Sequence, residues 1–66
     1  MKTTEIKNLK KGEYFKRIIK GQTTEKVYIK GDYDRATKSY SAIEYNDINH
    51  EIFIKANKLV AYDFIF

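Results

Sequence analysis

Across residues 26–45 apolar and polar side chains alternate with the period of two that a pleated strand imposes. Val27, Ile29 and Tyr33 fall in one phase. Tyr28, Lys30 and Asp32 fall in the other, and Tyr28 and Lys30 are expected to face solvent. After the polar stretch 34–38, Ser39, Ser41, Ile43 and Tyr45 alternate with Tyr40, Ala42 and Glu44. Asp34 and Thr37 in that stretch can hydrogen-bond nearby backbone, so the whole segment reads as one long β-hairpin. Gly31 interrupts its first strand, and a lone glycine inside a strand marks a bulge or sharp bend.

The flanks continue the pattern. Residues 4–12 read as a single helical or 3₁₀ turn: Thr3 or Thr4 can cap it, Ile6 and Leu9 share a face, and Gly12 can take a left-handed stop. One turn is not stable alone in water, so Ile6 and Leu9 are expected to plug one end of a β core. Residues 13–19 form a strand with apolar side chains in both phases, and the phase of Phe15 is taken as the buried one, with Arg17 the exception. Residues 20–25 read as a polar loop, and 46–49 as a turn. A strand over 50–55 is followed by a tight turn at 56–58, where Asn57 accepts positive φ. The last strand, 59–66, is almost wholly apolar, with only Asp63 as an interruption. Left as an open edge it would template aggregation, so it is expected to lie beside strand 13–19.

Five short strands with one preceding turn predict an all-β fold, a small five-stranded SH3-like barrel in a single domain. An OB-fold is the alternative, but 46–49 leaves no room for the helix it usually carries. The opening I-x-x-L-x-x-G-E-Y-F resembles the start of SH3-like barrels. The combination V-Y-I-K-G-D-Y-D-R at 27–35, D-I-N-H-E-I-F-I-K at 47–55 and a final F-I-F resembles short, uncharacterised one-domain proteins of gut anaerobes and their mobile elements. That likeness implies a compact β fold in a bacterial cytoplasm and no particular activity.

Composition narrows the chemistry. With 66 residues there is room for one small core, and the absence of Cys removes disulfides and thiolate metal sites. M-K-T-T-E-I-K lacks the apolar stretch of a signal peptide, which makes a cytoplasmic setting the expectation. Residues 1–30 hold nine Lys or Arg against three Glu, whereas 31–66 hold four against six Asp or Glu. The net charge of +4 is thus concentrated in the first half, which would attract phosphates or acidic protein faces if it formed one surface.

No catalytic set emerges. His50 is the only histidine and sits beside Glu51, so on a strand the two point to opposite faces; His50 is expected to hydrogen-bond the preceding turn. Asp32, Asp34 and Asp47 lack the spacing of a calcium loop. No enzyme, cofactor or metal is implied.

The tyrosines carry the one functional signal. Tyr28, Tyr33, Tyr40, Tyr45 and Tyr62 interleave with Lys26, Lys30, Arg35 and Lys38, the pairing by which single-stranded nucleic acid or RNA is held. Rings stack bases while cations meet phosphates. Lys26, Tyr28, Lys30, Arg35 and Lys38, with Lys10, Lys11 and Arg17, are the candidate contacts. Tyrosine also suits half-buried barrel positions for purely structural reasons. The competing reading is a protein-interaction module, acting through an aromatic groove or a free sheet edge, either as a monomer or as a weak homodimer paired edge to edge.

Overall fold

The computed structural model describes residues 1–65. Six strands, β1 (Lys2–Glu5), β2 (Tyr14–Ile19), β3 (Gln22–Asp34), β4 (Ser39–Glu44), β5 (Asp47–Lys55) and β6 (Leu59–Tyr62), flank a single 3₁₀ turn at Ile6–Asn8. All pairings are antiparallel, and they form one sheet in the order β1-β6-β2-β3-β4-β5. No helix among the described residues is long and apolar enough to cross a membrane.

This order forces the sheet to curl. β5 and β6 stand four steps apart in it, which at the usual strand spacing would separate them by ~19 Å in a flat sheet. Only residues 56–58 connect them, and such a link reaches no further than ~14 Å. The concave side of the curl is the core. There Phe15, Tyr28, Ala42, Ile54 and Val60, one from each of β2 to β6, meet Ile6 and Leu9 in one buried cluster. The 3₁₀ turn therefore plugs the core as expected, and its backbone ties to the β5–β6 link through Ile6 N–H to Lys58 O (2.9 Å) and Lys7 N–H to Ala56 O (3.2 Å). Gly12, with φ of +92°, ends this segment in the left-handed region.

The sheet differs from the expected small five-stranded SH3-like barrel in two ways. It has a sixth strand, β1, laid on the far side of β6, and it does not close. The sequence of β1, K-T-T-E, carries no apolar alternation. It is recruited because β6 needs a partner on both sides: β1 covers one edge over four residue pairs while β2 covers the other at only Lys16–Ala61 and Arg17–Val60. The apolar C-terminal segment is thus paired beside β2 as anticipated, but the strand stops at Tyr62. Asp63 turns the chain with φ of +61°, Phe64 sits 4.8 Å from Lys16 Nζ as a cation–π contact, and Ile65 is exposed. Phe66 lies outside the described residues.

Residues 20–25, read as a loop, instead extend a hairpin. Lys20 and Gly21 both have positive φ (+53° and +78°), the geometry of the two-residue turn whose twist matches paired strands, and Ile19 faces Gln22 across it. Residues 47–49, read as a turn, likewise belong to β5, and Asn57 does not take positive φ among the described residues. Gly31 behaves as expected. The β3–β4 register shifts between Lys30 and Tyr33, and a Cβ at Gly31 would collide with the Ser41 hydroxyl and stand 3.2 Å from its carbonyl. That hydroxyl accepts the Asp32 N–H at 3.1 Å, so the close approach is part of the bulge.

Candidate functional site: the cleft beside the open edge

Among the described residues β5 pairs with β4 alone. The Ala56 N–H donates to Lys38 O at 3.3 Å, which sets the hydrogen-bonding phase of this ladder. With Tyr40 opposite Ile54 and Ala42 opposite Ile52, those isoleucines turn their backbone groups toward β4. Glu51 and Phe53, in the alternate phase, turn theirs away from the sheet. Their side chains follow the pleat: Ile54 is in the core while Phe53 is 58% exposed.

The curl brings this free edge opposite the C-terminal half of β2 and leaves a cleft of about 310 Å³ between them. Ile18 and Ile19 of β2, Phe53 and Ile54 of β5, and Leu59 and Val60 of β6 line it. Beyond Arg17 and Ile19 the same trough continues past Thr24, Lys26 and Tyr28 to His50. Arg17 is the junction. Alternation from the buried Phe15 and its place opposite the buried Val60 point it to the concave side, and it lines both parts.

Charge along this trough is one-sided. Arg17, Lys20, Lys55 and Lys58 line its deeper part, where no acidic residue does, and Lys26 and His50 line the continuation, where Glu25 is the acidic exception. Two of these cations are already engaged: Lys55 Nζ donates to Thr37 O at 2.7 Å, and Lys26 Nζ lies 3.6 Å from Glu44. Arg17, Lys20 and Lys58 have no ion-pair partner among the described residues. At the far end His50 Nδ1 lies 2.8 Å from the carboxylate of Glu44, the last residue of β4, and so joins two strands instead of bonding to residues 46–49 as expected. That hydrogen bond, helped by nearby Lys26, holds the Glu44 pKa below the ordinary carboxylate value.

The nucleic-acid candidates do not assemble. Tyr28 and Lys30, expected on the surface, are 4% and 5% exposed. Tyr28 stacks on Phe15 at 5.9 Å between ring centroids. Lys30 runs its stem through the core, donates its ammonium to the Leu9 carbonyl and holds it 4.0 Å above the Tyr40 ring. Burial lowers its pKa from the ordinary lysine value, and Glu13 offsets part of this. Lys10 and Lys11 are exposed beyond the 3₁₀ turn, Lys11 paired with Asp32 at 2.7 Å. Arg35 and Lys38 occupy the β3–β4 turn, which Asp34 organises by accepting from Ala36 N–H (3.0 Å) and Thr37 Oγ1 (3.1 Å). Of the eight candidates only Arg17, Lys26 and the buried Tyr28 line the trough.

The remaining chemistry is local. No group of three His, Cys, Asp or Glu residues gathers among those described. Asp47 accepts from Asn49 N–H at 3.2 Å, so Asp32, Asp34 and Asp47 each serve separate partners. Sequence reasoning missed the contribution of Ile19, Lys20, Phe53, Lys58 and Leu59. The signal available was Phe53, a large apolar side chain in the outward phase of a strand whose inward phase, Ile52 and Ile54, was already apolar. Compared with protein-family models, with curated proteins and with solved structures, the chain matches none.

Proposed function

We propose that the protein is a non-enzymatic protein-interaction module, an SH3-like barrel left open, that receives an extended segment of a partner along β5. The observation that carries this reading is the unpaired edge of β5 with the outward backbone groups of Glu51 and Phe53 beside an apolar-walled cleft. Strand addition draws affinity from the main-chain bonds of such an edge and selectivity from the pockets next to it. Ile19, Phe53 and Leu59, all about half exposed, supply apolar surface for side chains of the incoming strand.

Nucleic-acid binding is the second reading, favoured by Arg17 and Lys26 in the trough. It ranks behind because its intended stacking platform is in the core, and Arg35, Lys38, Lys10 and Lys11 do not line the trough.

The test uses the edge backbone itself. Random linear peptides displayed on phage are selected on the native protein, then challenged on Phe53→Pro. Proline removes the outward N–H without removing a bond to β4. With circular dichroism showing the variant folded, loss of the selected peptides is the expected result. Retention of binding by Phe53→Pro overturns strand addition.

A further inference from the structure

Charge around the cleft narrows the partner. We infer that the segment received along β5 is an acidic peptide of another protein, with apolar side chains alternating with carboxylates. The inference rests on the strand-addition reading above and adds the chemistry of the ligand. A strand laid against β5 sends alternate side chains to opposite faces. The set on the convex face meets Phe53 and Leu59, which alternate with the core residues Ile54 and Val60. The other comes within reach of Arg17, Lys20 and Lys58, which have no ion-pair partner among the described residues. Arg17 in particular is half-buried on the concave side, where a carboxylate would meet a guanidinium already partly shielded from water.

The same charges argue against a second copy as the occupant. In an edge-to-edge dimer each molecule would bring its own Arg17, Lys20, Lys55 and Lys58 toward those of its partner, in a chain already carrying a net charge of +4. Like charges facing one another penalise a pairing, whereas an acidic strand removes that penalty and is steered in from a distance.

Three acetylated nonapeptides, Val alternating with Glu, Ser or Lys, are titrated into the isotopically labelled protein and followed by amide NMR shifts. The Glu peptide is expected to shift Glu51, Phe53, Arg17 and Ile19, and to bind about tenfold more tightly than the Ser peptide, as three partly exposed ion pairs allow. Lys20→Glu/Lys58→Glu, two exposed positions, is expected to invert the order of the Glu and Lys peptides. Equal binding of the Glu and Ser peptides at β5 overturns the acidic preference and leaves the interaction module standing. Failure of all three to bind overturns both. Concentration-dependent shifts of the same amides without peptide identify a second copy as occupant and overturn the inference. So does an oligothymidylate that displaces the Glu peptide and binds more tightly.

Discussion

Truncating Tyr28 to alanine separates a surface platform from a core built around that ring. The ring is 4% exposed, stacks on Phe15 and sits in the one buried cluster that joins β2 to β6. An aromatic side chain so placed removes about 150–250 Å² from water, of which alanine keeps only a minor part. At about 25 cal/mol per Å² the difference is ~3 kcal/mol, and the lost stack with Phe15 adds ~1 kcal/mol. A chain of 66 residues has a total stability of roughly 3–10 kcal/mol. Tyr28→Ala should therefore remove about a third or more of it, or unfold the protein outright. Tyr28→Phe keeps the ring and the stack and should stay within ~1 kcal/mol of the native protein. Urea denaturation followed by far-UV circular dichroism reads both variants. A Tyr28→Ala protein with a cooperative transition displaced by less than ~1 kcal/mol would refute the core assignment.

Three further outcomes are expected. Gly31→Ala should cost ~1 kcal/mol or more, because the added Cβ displaces the Ser41 hydroxyl that accepts Asp32 N–H; an unchanged melting temperature would show that the bulge tolerates a side chain. Thr24 Oγ1 is buried with no hydrogen-bond partner among the described residues, so Thr24→Val should be neutral or stabilising by up to ~1 kcal/mol, and a clear loss would mean the hydroxyl is satisfied. Because the folded-state pKa of Glu44 is depressed, its contribution is present above the unfolded carboxylate value and is lost as pH falls through the folded one. Acid titration of stability should accordingly be shallower in Glu44→Gln than in the native protein, and identical curves would remove the His50–Glu44 contact from the account.

How much of this the sequence disclosed depended on whether one face of a strand was decisively apolar. β6 was apolar on both faces, and the pairing beside β2 followed from the need to cover Val60 and Ala61. Gly31 was legible because a missing Cβ inside a strand has few other uses. β3 was misphased because Val27 and Ile29 look more apolar than Tyr28 and Lys30. In the fold the second pair lines the core, while Val27 lies under the outer face in the row with Lys16 and Ala61. Ile29 is matched there with Tyr14 and Ile43. A lysine can occupy the inner phase because its long stem is apolar and its head finds the Leu9 carbonyl and the Tyr40 ring, partners that are distant in sequence. β1 was invisible for a different reason: its role is set by the edge of β6 rather than by its own side chains. The cleft was illegible on both counts, since it exists only where a three-residue link curls the sheet and the curl stops short of closing.

Native-state amide hydrogen exchange along β5 tests the open edge most directly. The phase set by Ala56 and Lys38 predicts protected amides at Ile52 and Ile54 and fast exchange at Glu51 and Phe53 in the free protein, with protection appearing at those two when the acidic peptide binds. Slow exchange at Glu51 and Phe53 in the free, monomeric protein would contradict it, because the edge would already be closed.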